Sequence, residues 1–124
     1  MSSNNYPLAL DHMLAAWNEQ DSTKIRTLLE EALTPDVHFV DPTANLHGMD
    51  AFEQNVRDVQ QRLPGATYSR VSEVDSHNNL YRYHWAIHLD GRLAVQGFDV
   101  TELRDGRVCK VIGFFNDLPL NRSI

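Results

Sequence analysis

The fold is decided by residues 80–115, which read LYRYHWAIHLDGRLAVQGFDVTELRDGRVCKVIGFF. Apolar and polar side chains alternate along this stretch with a period of two, the pattern of half-buried β-strands. Two Asp-Gly pairs, Asp90-Gly91 and Asp105-Gly106, carry the residue types that tight hairpin turns prefer. The stretch therefore predicts three consecutive antiparallel strands, over residues 80–89, 92–104 and 107–115.

Before this meander, three segments repeat apolar residues every three or four positions, which is the spacing of one helix face. Asp21 or Ser22 suits the N-cap of the second helix, and Asp50 with Glu53 has capping-box spacing at the start of the third. Pro35 is expected to stop the second helix. The predicted helices run from about residue 7 to 18, from the Asp21 or Ser22 cap to Pro35, and from Asp50 to Pro64.

Two shorter segments are predicted as strands. Residues 37–41 are β-branched and aromatic and end at Pro42, and residues 67–76 alternate but are polar. Residues 45–48 are expected to form a loop, and the residues after Asp117 a tail. Helices followed by a meander indicate an α+β fold in which the helices cover one face of the sheet. A chain of 124 residues suits one domain, residues 1–124.

The composition disfavours several classes of protein. The net charge is −6 and no Lys/Arg cluster offsets it, so nucleic-acid binding is not expected. No apolar run approaches the roughly 20 residues that span a bilayer, and the N-terminus has no signal-peptide pattern, so no membrane association is expected. The single cysteine, Cys109, excludes an internal disulfide and predicts a cytoplasmic location.

Metal and cofactor sites have no supporting motif. The six histidines form no short metal-binding motif. His84 and His88 would lie about 13 Å apart on one strand face, too far to chelate one ion. No phosphate-binding loop or nucleophile elbow is present. We therefore expect neither a metal nor a cofactor.

The last two strands are apolar on both faces. In the strand over residues 92–104, Val95 and Leu103 lie opposite Phe98 and Val100. A sheet with two apolar faces needs a second cover, and three helices suffice for only one. We expect the outer face to pack against a second copy of the chain in a two-fold dimer.

Asp41 is the first candidate for chemistry. Alternation along residues 37–41 places it on the same face as Val37 and Phe39. Apolar surroundings desolvate a carboxylate, which raises its pKa and makes it a usable base near neutral pH. The alternative is that Asp41-Pro42 starts a turn in which the carboxylate caps backbone amides. The sequence leaves both alternatives open.

Asp99 is the second candidate. It shares a predicted strand face with Gly97, which leaves room for a ligand to approach the sheet. A buried carboxylic acid that stays neutral can donate a hydrogen bond to a developing oxyanion. The alternative is an ion pair with an arginine such as Arg82. Nearby, Tyr81, Tyr83 and Trp85 form an aromatic row that is either core or the wall of a pocket for a ring substrate.

Six short motifs, taken in order, resemble the nuclear transport factor 2-like superfamily, most closely its SnoaL-like polyketide cyclases and ketosteroid isomerase-like proteins. The motifs are Trp17-Asn18-Glu19-Gln20-Asp21, Phe39-Val40-Asp41-Pro42, His47-Gly48, Tyr83-His84-Trp85, Gly97-Phe98-Asp99-Val100 and Gly113-Phe114-Phe115. The resemblance covers nearly the whole chain. It implies a cone, in which a strongly curved antiparallel sheet wraps around three helices, with a deep apolar pocket and frequent dimers through the sheet.

The resemblance also implies roles for three residues. In ketosteroid isomerases an aspartate in an Asp-Pro pair at the end of the first strand shuttles the proton, and Asp41 stands at that place. Asp99 matches the protonated aspartate of the oxyanion hole. Met13 holds the place of the tyrosine that completes the hole, and methionine cannot donate that hydrogen bond. Tyr83 is then a candidate donor.

Two functions remain open from the sequence. The first is a cofactor-independent isomerase, cyclase or dehydratase acting on a small apolar carbonyl compound, with Asp41 as base and Asp99 as oxyanion stabiliser. The second is a non-catalytic ligand-binding or dimerisation domain. The residues expected to shape the pocket are Met13, Trp17, Phe39, His47, Tyr83, Trp85 and Gly97.

Overall fold

Three helices and seven strands make up the part of the chain, residues 6–116, that the computed structural model describes. The helices are α1 (Leu8–Asn18), α2 (Ser22–Ala32) and α3 (Met49–Arg62). The strands are β1 (Leu33–Asp41), β2 (Ala44–His47), β3 (Thr67–Arg70), β4 (Asp75–His77), β5 (Leu80–Leu89), β6 (Arg92–Arg104) and β7 (Arg107–Phe115). The predicted tail after Asp117 lies outside the described residues.

The strands form one open, curved sheet in the order β2-β1-β7-β6-β5-β3, with β4 also paired to β5. The predicted α+β fold class is confirmed. The expectation of a wholly antiparallel sheet is wrong at one pair, because β1 runs parallel to β7. Local alternation predicts that a segment is a strand, but it does not specify which distant strand becomes its neighbour or in which direction.

The chain passes from α2 directly into β1 at Leu33, earlier than predicted. Pro35 therefore lies inside β1 instead of stopping the helix. A register irregularity between Leu33 and His38 interrupts the pairing with β7 at this point. It accommodates Pro35, which has no N–H to donate to a ladder.

Two further segments differ from the prediction. A loop was expected over residues 45–48, but Ala44–His47 forms β2 and pairs with β1 in a hairpin. The single strand expected over residues 67–76 is two short strands, β3 and β4, both paired to β5. These segments are short and polar, so their pairing depends on the neighbouring strand more than on their own pattern.

The helix caps agree with the prediction at α2 only. The Asp21 carboxylate accepts a hydrogen bond from the Thr23 N–H at 3.0 Å and caps α2. At α3 the N-cap is Gly48, whose φ is +91°, and the capping box is not formed. Asp50 and Glu53 instead bind Arg26 of α2, at 2.6 and 3.0 Å, and so connect the two helices.

The core lies between the helices and one face of the sheet, as predicted. Within residues 6–116, no helix has the length and apolarity needed to cross a membrane. The largest fully buried side chains come from all three helices and from β1, β6 and β7: Leu10, Ile25, Leu29, Phe52, Val56, Leu33, Val37, Thr101, Val108 and Val111.

Asn18, the last residue of α1, attaches that helix to the edge strand β3. Its Nδ2 donates to the Tyr68 carbonyl oxygen at 2.8 Å, and the Tyr68 N–H donates to Asn18 Oδ1 at 2.8 Å. The Asn18 carboxamide thus bonds to the exposed edge of β3 as the main chain of a further strand would. It also sets the Trp17 and Tyr68 rings side by side, with centroids 5.5 Å apart.

Replacing Asn18 by Ala is expected to lower the free energy of unfolding by about 1–3 kcal/mol, because both Tyr68 main-chain groups lose their partner. Asn18→Asp should be at least as harmful, since it places a carboxylate oxygen against the Tyr68 carbonyl. Urea unfolding followed by circular dichroism measures both effects. Gln20→Ala serves as control, because its side-chain hydrogen bond is exposed. Equal losses in the Asn18→Ala and Gln20→Ala variants would contradict this role of Asn18.

Candidate functional site

A cavity of about 370 Å³ lies between the helices and the inner face of the sheet. Its wall is mainly apolar and includes aromatic side chains from α1 and four strands. These are Trp17, Phe39, Tyr68, Tyr83, Trp85 and Phe115. Four charged side chains also reach the wall: Asp41, Arg62, Arg70 and Asp99.

The register of the sheet arranges the two acids in one row. Asp99 on β6 is paired with Gly113 on β7 and with Tyr83 on β5. Val40 pairs with Ile112, so the next residue of β1, Asp41, lies beside Gly113. Side chains of cross-strand partners project from the same face. The row Asp41, Gly113, Asp99 and Tyr83 thus crosses four strands along the cavity wall.

Gly113 lets the two acids approach each other. A Cβ at this position would lie 3.0 Å from Asp99 Oδ1 and 3.2 Å from the Asp41 Cβ. Those two atoms are therefore no farther apart than the sum of the two distances, and no side chain separates them. Sequence reasoning assigned Gly113 no role. The available signal was a glycine on the strand predicted to pair with the strand of Asp99.

Asp99 is enclosed by the wall and bound by an indole. Trp85 Nε1 donates to Asp99 Oδ1 at 2.9 Å. Burial raises the pKa of Asp99 to about 7, with a further increase from the nearby Asp41 charge, while the Trp85 and Tyr83 donors partly offset it. Near neutral pH both the neutral acid and the carboxylate are therefore populated. The alternative ion pair is not formed, because Arg82 binds Asp75 at 2.9 Å.

Asp41 caps a turn, as one of the two alternatives predicted, and also lies at the cavity wall. Its Oδ1 accepts from the Thr43 N–H at 2.8 Å and from Thr43 Oγ1 at 2.9 Å, so it caps the turn after β1. The same half-buried side chain lines the cavity. No residue of the described chain donates to the second oxygen, Oδ2, which leaves that oxygen for a ligand.

Tyr83 and Met13 differ in whether they can donate a hydrogen bond near Asp99. Tyr83 is buried, and burial together with the Asp99 charge raises the pKa of its hydroxyl well above the usual value. The hydroxyl therefore stays protonated and remains a donor. Met13, buried on α1, lines the cavity without offering a donor. The donors beside Asp99 are thus Trp85 and Tyr83.

Two predicted pocket residues lie outside the cavity wall. His47 is exposed on β2 and its ring stacks on that of His38, with centroids 4.2 Å apart. It was expected in the loop after Asp41, but strand pairing turns it away from the cavity. Gly97 makes room for a protein side chain instead of a ligand: a Cβ there would lie 2.7 Å from Trp85 Cζ2 and would also clash with the Phe114 carbonyl oxygen.

Sequence reasoning missed the contributions of α3 and β3 to the wall. Asn55 and Arg62 reach it from α3, and Tyr68 and Arg70 from β3. The polar alternation of residues 67–76 was the only signal for β3. Among the described residues, no group of three or more His, Cys, Asp or Glu side chains could hold a metal ion.

The fold and the site define an α+β protein with an aromatic, acid-bearing cavity enclosed by a curved sheet. The profile of the SnoaL-like domain matches residues 10–111. The chain belongs to the SnoaL-like domain family, which confirms the resemblance seen in the sequence.

Solved structures agree with this assignment. A protein named as an isomerase of the SnoaL-like family from Agrobacterium tumefaciens is 30% identical, with a TM-score of 0.82 over 88% of this chain and 95% of that chain. A polyketide cyclase by name from Sinorhizobium meliloti is 14% identical, with a TM-score of 0.72 over 91% and 99%. A ketosteroid isomerase by name from Kribbella flavida is 15% identical, with a TM-score of 0.68 over 94% and 84%. The last two show the fold alone, and no curated protein matches the sequence.

The raised pKa of Asp99 predicts a pH-dependent stability. Between the ordinary value of 3.8 and about 7, the folded protein holds a proton that the unfolded chain releases. The Asp99 contribution to the free energy of unfolding is therefore complete below 3.8, falls as the pH rises and is lost above about 7. Asp99→Asn keeps an acceptor for Trp85 and should remove this dependence, which amounts to a few kcal/mol at most.

Urea unfolding of wild type and Asp99→Asn between pH 4.5 and 8.5 measures this difference. Wild type should lose stability relative to the variant as the pH rises. Asp36→Asn is the control, since Asp36 is exposed and its pKa is lowered by Arg104. Parallel pH profiles for wild type and Asp99→Asn would show that Asp99 titrates normally.

Proposed function

We propose that this protein is a cofactor-independent acid–base enzyme, an isomerase, cyclase or dehydratase, acting on small apolar carbonyl compounds. One observation carries the proposal. Two carboxyl groups flank Gly113 in a single aromatic cavity, and one of them is largely desolvated. Pairs of carboxyl groups held in different environments are how enzymes obtain a base and an acid from the same residue type.

Asp41 is the proposed base. Thr43 fixes one oxygen, Oδ1, so the other oxygen has a defined position from which to take a proton. The proton comes from the carbon next to the substrate carbonyl, and its electron pair moves onto the carbonyl oxygen. Protonated Asp41 then returns the proton to another carbon of the same molecule, which is an isomerisation.

Asp99 in its neutral form is the proposed donor to the enolate oxygen. Trp85 already donates to Oδ1, which favours placing the Asp99 proton on Oδ2, where it can bind an incoming oxygen. The Tyr83 hydroxyl is a second donor beside it. The same enolate can instead attack a second carbonyl group, as in cyclisation, and the new alkoxide then takes the proton from Asp41. In dehydration it expels a β-hydroxyl, which leaves as water with that same proton.

The cavity supports a small, neutral and ring-shaped substrate. Its volume of about 370 Å³ is near the lower end of the range for ligand pockets. Aromatic walls favour planar rings. A carboxylate-bearing substrate would be repelled by Asp41. A second function, ligand binding without catalysis, is favoured by the Thr43 contacts, because capping a turn is by itself a sufficient reason for an aspartate at position 41.

Deuterium exchange into enolisable ketones tests the enzyme proposal without knowledge of the natural substrate. Cyclohexanone, 1-tetralone and 2-tetralone are incubated with protein in D₂O and followed by NMR. Wild type is expected to accelerate exchange for at least one ketone, and Asp41→Asn should lose about 100-fold or more of that rate. Asp36→Asn is the matched control on the same strand and should keep the full rate.

The outcomes separate the two functions. Acceleration that survives in Asp41→Asn would exclude Asp41 as base. Binding of a tetralone, seen as a change in tryptophan fluorescence, with no acceleration of any ketone would favour the ligand-binding function. Trp17 and Trp85 both line the cavity, so a bound ring is expected to change this signal.

We also propose that two copies associate through the outer face of the sheet. Phe98 and Phe114 stack there with centroids 5.1 Å apart, and Phe114 is 50% exposed. Val100 and Ile112, paired in the next row, continue the apolar surface. A two-fold axis would pack this apolar surface against the same surface of the second copy, so one interface buries both surfaces.

Phe114→Glu is expected to convert a dimer of the 14.2 kDa chain into a monomer, because it places charges opposite each other at the centre of the interface. Light scattering after gel filtration measures the mass. Leu8→Glu is the control, since Leu8 is 69% exposed on α1, away from this face. A monomeric wild type at high protein concentration would exclude the dimer.

A further inference from the structure

Arg70 brings a positive charge into the cavity wall from the edge strand β3. It is paired with Trp85 across β3 and β5, so its side chain lies on the same face as that indole. The side chain is only 13% exposed. A cation that loses this much hydration needs partners, and the partners of Arg70 connect two parts of the molecule.

Two groups near the start of α1 hold the guanidinium in place. Arg70 Nη2 donates to Asp11 Oδ1 at 2.5 Å and to the Tyr6 hydroxyl oxygen at 2.7 Å. The Tyr6 hydroxyl donates in turn to Asp11 Oδ1 at 3.2 Å. These three contacts form a closed triangle, which fixes the position of the cation relative to the sheet.

The same guanidinium contacts two aromatic rings. Its Cζ lies 4.7 Å from the centroid of the Tyr6 ring and 5.5 Å from that of Tyr83. A cation at this range is attracted to the face of a ring. Tyr83 is the cross-strand partner of Asp99. Arg70 therefore lies next to Tyr83, the last residue of the acid row, although Arg70 itself does not belong to the row.

We propose that Arg70 is a positioning residue that acts on Asp99 through Tyr83. Held by Asp11 and Tyr6, the guanidinium fixes the Tyr83 ring and makes its hydroxyl a stronger donor to the Asp99 carboxyl group. Its charge already lowers the pKa of Tyr83, against the effect of burial. The inference rests on the proposed function of Asp99. It states that the ion pair between Arg70 and Asp11, outside the row, adjusts the hydrogen bonding of Asp99.

Charged and titratable side chains approach Asp99 from several elements. The cavity around Asp99 is lined by Asp41 on β1, Tyr68 and Arg70 on β3, Tyr83 on β5 and Arg62 at the end of α3. Behind Arg70 lie Asp11 on α1 and Tyr6 just before it, and both contact the guanidinium. The side chains of Arg70 and Asp11 carry opposite charges, and the test uses this difference. Removing either one breaks the same ion pair, but the expected effects on the Tyr83 hydroxyl, and through it on Asp99, are opposite.

The test follows the ¹³Cγ signal of Asp99 by NMR across a pH titration, with Asp99→Asn to assign the signal. In Arg70→Met the pKa of Asp99 should rise by about half a pH unit or more, because Tyr83 then donates less strongly to the carboxylate. In Asp11→Asn it should fall, because Arg70 is no longer neutralised. Arg70→Lys retains the charge and should titrate close to wild type.

The exposed pair Arg82 and Asp75 supplies the matched control. Arg82→Met and Asp75→Asn break an ion pair with the same charges and should leave the Asp99 titration unchanged. If Arg70 is only structural, Arg70→Met and Asp11→Asn will shift the titration in the same direction or not at all, and this result overturns the proposal.

Two features keep the test decisive. Should Arg70→Met fail to fold, Asp11→Asn retains the arginine, and an unchanged or raised pKa of Asp99 in that variant overturns the proposal by itself. The titration needs no substrate. Opposite shifts of the Asp99 pKa without ketone exchange would support the positioning role of Arg70 and exclude the proposed catalysis. Ketone exchange without opposite shifts would support catalysis and exclude the role of Arg70.

Discussion

The site depends on the parallel pairing of β1 with β7. This pairing sets Asp41 beside Gly113, and the antiparallel β6 sets Asp99 on the other side of the same glycine. A shift of β1 by one residue would turn Asp41 to the outer face, since strand side chains alternate. The irregularity between Leu33 and His38, where Pro35 interrupts the ladder, therefore helps to determine which residue of β1 faces the cavity.

The apolar wall gives the two acids different environments although they are neighbours. Asp41 lies at the end of its strand, where Thr43 supplies two donors from a turn. Asp99 lies within its strand, enclosed by the wall, and shares its row with the Asp41 charge. Two like charges this close in an apolar medium are costly, so one of them keeps its proton more readily. The position of each acid along its strand, and not its residue type, makes the difference.

Much of the fold was predictable because its signals are local. The bounds of β5, β6 and β7 match the prediction at every end, since Asp90-Gly91 and Asp105-Gly106 adopt the positive φ angles that such turns require. The start of β1 was not predictable, because a distant partner strand decides it. For the same reason His47 was wrongly placed in the pocket: its orientation is fixed by the pairing of β2 with β1.

The site was predictable to the same extent. Both acids and most of the aromatic wall followed from alternation and from the resemblance, whereas Asn55, Arg62, Tyr68 and Arg70 did not. Tertiary packing decides which face of α3 borders the cavity. It also decides how far the side chains of the edge strand β3 reach into it. The polar stretch over residues 67–76 gave no reason to expect that Arg70 would be buried.

Two glycines, one within the acid row and one beside it, contribute to the row differently. Gly113 acts directly, because its missing side chain removes the group that would separate Asp41 from Asp99. Gly97 acts through Trp85: the indole occupies the space above it, and from there Nε1 reaches Asp99, two residues farther along β6. A side chain at position 97 would displace the indole and with it the donor to Asp99. Gly97 thus belongs to the site through the ring that it accommodates, although it contributes nothing to the wall itself.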